Sequence, residues 1–272
     1  MDGSGVTRAM TADPLLIEQT PDGVATVTLN RPEMHNALDE NLIREITRMF
    51  DMLGSDPSVR MVLLKANGPS FCAGADINWM QRSANYTKEE NIAEAQALAL
   101  MMKTLHDFPR PLIGMVQGAA VGGGVGIVSC CDIVVASDAS SFRLSEVKLG
   151  LVPAVISPYV IRAIGARAAQ RYFLTAEPFS ATEAKTLGLI HEIVPDRMMQ
   201  AAAAKLVERI LQGGPKAQLA AKSLLRHVEG QPIDDEMIGY TVEMISRLRA
   251  SPEGREGLAA FLEKRHPVWP KR

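Results

Sequence analysis

Three consecutive glycines, Gly122 to Gly124, stand inside the apolar stretch QGAAVGGGVG at 117–126. Bare backbone in an apolar setting means that something approaches the chain more closely than a Cβ would permit. The flanking segments narrow the setting. PLIGMVQG (111–118) predicts a strand, GGGVGIVSCC a short helix and DIVVAS (132–137) a second strand. The glycines therefore sit where a strand turns into a helix. Two nucleotide-binding readings of such a turn fail on spacing. A dinucleotide fingerprint anchored at Gly122 and Gly124 requires glycine at 127, which is Ile127. A Walker loop requires a lysine where Val125 stands. No G-x-S-x-G elbow occurs in the chain. Two readings remain open. The glycines remove bulk for close helix packing, or they let backbone N–H groups converge at a helix N-terminus, where partial positive charge stabilises an oxyanion. CAGAD (72–76), with Gly74 for a tight turn, is the candidate source of a second donor.

The rest of the chain supplies strands first and helices last. LLIEQTPDGVATVTLNRP predicts a hairpin, Leu15 to Gln19 and Val24 to Leu29, around Pro21-Asp22-Gly23. Asp39 is placed to cap a helix whose apolar face is Leu42, Ile46, Met49 and Leu53. RMVLLKA (60–66) reads as a buried strand and Lys88 to His106 as a helix, with Met101 and Met102 as core filler. Ser157 and Pro158 suit the cap and first turn of another helix. LIHEIVP (189–195) is a last short strand before a helical end. The expected organisation is a loose tail at 1–14, a strand-strand-helix core at 15–195 and a helical region at 196–272, the last two folding together.

With 47% hydrophobic and 22% charged residues the chain can bury a large core. A formal net charge of −2 gives no reason to expect nucleic acid or an acidic membrane surface as partner. No apolar run reaches the about 20 residues of a membrane span, and the first residues, MDGSGVTRAMTADP, lack the apolar core of a secretory signal. The three cysteines form no disulfide framework or zinc spacing, and the five histidines are scattered, so no metal site is expected. These features together predict a soluble cytoplasmic protein.

RPEMHNAL (31–38), FCAGADI (71–77), VQGAAVGGGVGIVSCCDIVVAS (116–137), FRLSEVKLGLVP (142–153) and FLEKRHPVW (261–269) occur in that order. Together they resemble the enoyl-CoA hydratase/isomerase (crotonase) family, from about residue 15 to 269. The resemblance implies an α/β fold, a spiral of strand-strand-helix units with a C-terminal helical trimerisation region, assembled as trimers or dimers of trimers. It implies that the backbone N–H groups of Ala75 and Gly123 hold the thioester carbonyl of an acyl-CoA, and that Glu146 moves the proton at its α-carbon. The coenzyme A belongs to the substrate and no further cofactor is implied. Glu33, Met34 and His35, the loop at Ala73, and Asp76, Ile77, Gly122 and Gly126 match positions around the substrate. Phe261 and Lys264 match positions that reach it from the C-terminal helix, often of a neighbouring subunit.

The chain departs from the family pattern in three places. Hydratases of the family usually carry a second glutamate at the position of Gly126. Ala154 stands where some relatives carry aspartate, and Pro69 where many carry a phosphate-pairing lysine. One glutamate is the pattern of Δ3,Δ2-enoyl-CoA isomerases. Yet SFRLSEVKLGLVPAVISPYVIRAIG (141–165) is most similar to bacterial hydratases of branched, carboxylated enoyl-CoA esters such as 3-methylglutaconyl-CoA, which share the glycine at 126. The expected activity is therefore hydration of a 2-enoyl-CoA, with isomerisation as the alternative and a non-catalytic CoA-binding or RNA-associated role third. The helix at about 78–100 and the segment Ala154 to Tyr159 are expected to shape the acyl pocket.

Overall fold

The computed structural model describes residues 13–269. The tail expected at 1–14 lies almost wholly outside the described residues. An edge strand, β1 (Leu15–Gln19), pairs antiparallel with β2 (Val24–Leu29) through the predicted turn. From there the chain winds, and each turn lays one long strand in a large sheet, one short extended segment in a small sheet and then a helix. The first turn runs β2, the bridge residue Leu38, α1 (Glu40–Ser55). The second runs β3 (Met61–Ala66), the bridge residues Cys72 and Ala75, α2 (Ile77–Ser83) and α3 (Lys88–Asp107). The third runs β4 (Leu112–Val116), β5 (Ala119–Val121), α4 (Gly123–Cys130). The fourth runs β6 (Ile133–Ser137), β7 (Ser141–Arg143), a 3-10 turn at Glu146–Leu149 and α5 (Ser157–Thr175). Then β8 (Phe179–Ser180), α6 (Ala181–Leu187) and β9 (Glu192–Val194) complete both sheets. The large sheet has the order β1-β2-β3-β4-β6-β9 and the small one β5-β7-β8. Apart from β1 the large sheet is parallel, with Val24 opposite Met61, Val62 opposite Leu112 and Ile113 opposite Ile133.

A parallel sheet covered on both faces needs apolar residues at every strand position. β3 shows how they divide. Val62 and Leu64 enter the main core with Phe71, Met101, Met102, Val125 and Phe142, inside the spiral. Met61 and Leu63 face the other way, with Ile113 and Met115, onto Met199 and Ala203 of α7 (Met199–Gln212). α8 (Pro215–Val228), α9 (Asp235–Ala250) and α10 (Pro252–Leu262) complete the chain. Side chains tie these helices to the core. Asp132 accepts from the Leu112 N–H at 2.7 Å and pairs with Lys222 of α8 at 2.6 Å. Arg60 donates to the carbonyls of Leu211 and Gly213 at the end of α7.

Local chemistry sets the helix ends. Asp39 caps α1 through the Leu42 N–H, as its position predicts. Ser180 and Glu183 form a capping box on α6, and Gly188 ends that helix with φ 91°. Ser157 departs from expectation. It is already helical, and its hydroxyl donates to the Ala154 carbonyl at 2.8 Å instead of accepting from a first-turn N–H. α5 also breaks at Gly165, whose φ of 76° and ψ of 154° are not helical. α8 is capped from a distance. The Glu253 carboxylate of α10, 5% exposed, accepts from the Lys216 and Ala217 N–H groups at 3.0 and 2.8 Å. Replacing Glu253 with Ala removes the cap from two first-turn donors of α8, so stability should fall by about 0.5–2 kcal/mol. Glu253→Gln should recover part of that. Urea unfolding of the three proteins measures the difference.

Candidate active site

The segment 72–76 is hydrogen-bonded along both edges. On one side the Cys72 N–H donates to the Ala119 carbonyl at 3.1 Å, and the Cys72 carbonyl accepts from the Val121 N–H at 2.9 Å. On the other, the Leu38 N–H donates to Gly74 at 2.7 Å and the Leu38 carbonyl accepts from the Asp76 N–H at 2.8 Å. A parallel bridge of this kind uses the residues flanking Ala75, so the Ala75 N–H points away from Leu38. Gly74 permits the tight course with φ 95°. A Cβ there would lie 3.3 Å from the Val121 carbonyl oxygen.

Arg31 fixes both helices that leave this region. Its guanidinium pairs with Asp39, the cap of α1, at 2.9 Å and with Asp76, the cap of α2, at 3.0 Å. Asp76 also accepts from the Asn78 and Trp79 N–H groups, so it is both the cap of α2 and an ion-pair partner. The sequence reading assigned no role to Arg31. Its partners lie 8 and 45 residues away, and no local pattern links them. Buried Asn36 adds a second anchor by donating to the carbonyls of Asn67 and Ser70 at 2.8 and 2.9 Å.

The three glycines are bare for three reasons. Gly122 adopts φ 50° and ψ −114°, and a Cβ there would lie 2.9 Å from Glu146 Oε1. Gly123 opens α4, so its N–H is one of the first-turn donors that a helix leaves unpaired. A Cβ on Gly123 would lie 2.7 Å from Leu38 Cδ1, and Leu38 is the residue bridged to Ala75. Leu38 thus neighbours both expected donor residues, Ala75 through its backbone and Gly123 through its side chain. Gly124 packs against the Cys72 carbonyl, 2.6 Å from a built Cβ. Close packing, one of the two readings left open by the sequence, holds at Gly124, and Gly123 stands at a helix N-terminus, where the other reading needs it.

Glu146 begins the 3-10 turn after β7. Its Oε2 is buried and has no hydrogen-bond partner among the described residues. Burial raises its pKa above the ordinary 4.5, against a smaller lowering by its own backbone hydrogen bond. A carboxylate with one unpartnered oxygen beside a glycine turn, and with its proton affinity raised, has the properties of a general base.

The residues expected around the acyl-CoA divide into two groups. Exposed Glu33, half-buried Met34 and exposed His35 form a 3-10 turn and its end. His35 Nδ1 lies 3.0 Å from Ser70 Oγ, and the His35 carbonyl accepts from the Ala73 N–H at 3.0 Å, which ties this turn to the 72–76 segment. Ile77, 69% exposed, begins α2 directly after Asp76. Phe261, 80% exposed, and exposed Lys264 stand at the end of α10, which packs chiefly on α9 and α8. Gly126 lies one turn beyond Gly123 and is buried. A Cβ there would come within 2.5 Å of Ile156 Cγ2 and 2.9 Å of Met102 Cε. Among the described residues no three His, Cys, Asp or Glu side chains gather to hold a metal ion, and no helix is long and apolar enough to cross a membrane.

Residues 19–272 match the sequence family described as Enoyl-CoA hydratase/isomerase. The crystal structure of an enoyl-CoA hydratase from Shewanella pealeana is 46% identical and superposes with a TM-score of 0.91, covering 94% of this chain and 96% of that one. A relative from Thermus thermophilus is 34% identical over 246 residues, 90% of this chain and 96% of its own length. The 2,3-dehydroadipyl-CoA hydratase of Escherichia coli is 30% identical over 258 residues, 93% of this chain and 97% of that protein. The chain belongs to the enoyl-CoA hydratase/isomerase family, and its fold is the expected crotonase-like spiral with a helical C-terminal region.

Glu146 makes the site and stability oppose each other. Its folded pKa is raised, so the folded protein binds its proton more tightly than the unfolded chain does. The resulting destabilisation is absent at acid pH and grows as pH rises through the window above 4.5. Glu146→Gln should therefore raise Tm at neutral pH, with the gain shrinking as pH falls toward 4.5. Thermal unfolding of both proteins across that range checks the sign.

Proposed function

We propose that this protein adds water to a 2-enoyl-CoA thioester. The observation that carries the reading is the buried, unpartnered Oε2 of Glu146, with its carboxylate against Gly122 and one residue from the Gly123 N–H. In this reading the thioester oxygen accepts from the Ala75 and Gly123 N–H groups, which stabilise it as it gains charge. Loss of one such donor typically costs about 10²–10³ in rate. Oxygen from water bonds to C3 while a proton is delivered to C2. Glu146 handles the C2 proton, and the proton lost by the water returns the carboxyl group to its starting state.

The favoured substrate is branched or carboxylated, such as 3-methylglutaconyl-CoA. Two things support it: the similarity of residues 141–165 to hydratases of such esters, and a relative whose name gives a dicarboxylic thioester, 2,3-dehydroadipyl-CoA. A carboxylate on the substrate would orient the water that the protein does not. A second reading, movement of a 3-enoyl double bond to the 2-position, is favoured by the filled space at Gly126. There Glu146 takes a proton from C2 and returns it to C4, with no water involved. Glu33, Met34, His35, Ala73 and Ile77 would line the coenzyme, and Phe261 and Lys264 would reach it from a neighbouring subunit. A trimer or dimer of trimers suits the exposed Ile238, Val242 and Ile245 of α9 and Phe261 and Leu262 of α10. The coenzyme enters as part of the substrate, and the reaction needs no other cofactor. We place the protein in the cytoplasm, in line with its bacterial relatives.

Turnover of crotonyl-CoA, 3-methylglutaconyl-CoA and a 3-enoyl-CoA, with products identified, separates the readings. Hydration of the carboxylated ester should exceed that of crotonyl-CoA, each tenfold corresponding to about 1.4 kcal/mol of transition-state stabilisation. Migration of the 3-enoyl bond without water addition to any ester would replace the hydratase reading with the isomerase.

A further inference from the structure

One turn beyond Gly123, at Gly126, α4 presents no side chain. Residues three apart share a helix face, so Gly126 continues the face that begins with the expected oxyanion donor. The space before it is occupied by Ile156 and Met102, 3% and 0% exposed. A Cβ on Gly126 would lie 2.5 Å from Ile156 Cγ2, 3.0 Å from Ile156 Cβ and 2.9 Å from Met102 Cε. Real side-chain carbons do not approach that closely, so the vacancy at Gly126 and the bulk of Ile156 are one packing arrangement. Ile156 also lies at the end of the loop that Glu146 begins, immediately before α5. The segment that brings in the base brings in the apolar plug.

We propose that Ile156, backed by Met102, is a specificity-determining residue that holds the site to a single carboxylate and so sets the balance between water addition and double-bond migration. The inference rests on reading Glu146 and Gly123 as the acyl-CoA site. A water that attacks C3 must be oriented and must give up a proton, and methyl surfaces do neither. An acid on α4 at this point would have no room and would be buried without a partner. Proton transfer from C2 to C4 requires no water and is untouched by the plug. Substrates that bring their own polar group are hydrated; those that do not are hydrated slowly.

Two sets of variants test this. Gly126→Ala and Ile156→Ala, singly and together, are compared by Tm. Gly126→Ala should lower Tm with Ile156 in place and lower it less in the Ile156→Ala background. Ile156→Ala alone should raise the ratio of crotonyl-CoA hydration to 3-enoyl-CoA migration by at least about 3-fold, a change that loss of stability alone would not give. Gly126→Glu with Ile156→Ala should hydrate crotonyl-CoA at least about 10-fold faster than Ile156→Ala alone, whereas Gly126→Glu alone should gain nothing. Wild-type Tm in Gly126→Ala, or strict additivity of the two shifts, would remove the packing claim. An unchanged product ratio in Ile156→Ala, or full gain by Gly126→Glu with Ile156 intact, would remove the specificity claim. Glu146→Gln separates this inference from the reading beneath it. Wild-type rates for both reactions in that variant would overturn the site assignment whatever Ile156 does.

Discussion

The backbone of residues 72–76, held between Leu38 on one side and the start of β5 on the other, is the constraint on which the site depends. Four hydrogen bonds hold this short extended segment on both edges, and the bridge to Leu38 turns the Ala75 N–H away from Leu38. The same Leu38 then meets Gly123 with its side chain. One residue therefore lies against both the loop and the helix N-terminus. This arrangement follows from the winding of the fold. Every turn of the spiral contributes a short extended segment, bridge residues in the first two turns and a strand of the small sheet in the next two, and each such segment leads the chain toward a helix. The candidate site residues stand at those points with Leu38 beside them: Leu38 before α1, Ala75 before α2, Gly122 before α4 and Glu146 before α5.

Electrostatics then gives the delivered groups their chemistry. Arg31 holds the caps of α1 and α2 with one guanidinium, which fixes the segment between them without adding a charged group to the turn at Gly122. The first-turn donors of α4 supply partial positive charge where a thioester oxygen would gain negative charge. Glu146 is left the opposite way, short of partners and with its pKa raised by burial. A carboxylate that the fold satisfied fully would be a poor base. Leaving one oxygen unpaired costs stability and favours proton transfer, the exchange expected at an active site.

The sequence made the long elements legible, and of the short ones α4 and β9, but not the strands of the small sheet. The hairpin at Leu15 to Leu29, α1 with its Asp39 cap, and α3 follow from periodicity and capping residues, because each carries its own signal over many positions. β5, β7 and β8 have only two or three residues and no alternation to read, although they form the small sheet. Gly122, Gly123 and Gly124 look alike in sequence, yet only Gly122 has a positive φ; the other two answer to neighbours 85 and 52 residues away in the chain. Glu146 was legible through the motif around it. Its burial, its orphaned oxygen and the plug of Ile156 and Met102 were not, since they arise from packing between α3, α4 and α5. The Ser157 cap failed because the chain before it is already helical in conformation at Ile156.

Solvent-deuterium incorporation at C2 of an acyl-CoA thioester tests the central claim most directly, because it reads the proton that Glu146 is held to move, whichever reaction follows. The wild-type protein in heavy water should place deuterium at C2 of the recovered thioester. Glu146→Gln should bind the same thioester and place none there. Deuterium entering C2 at the wild-type rate in Glu146→Gln would contradict the assignment of Glu146 as the base.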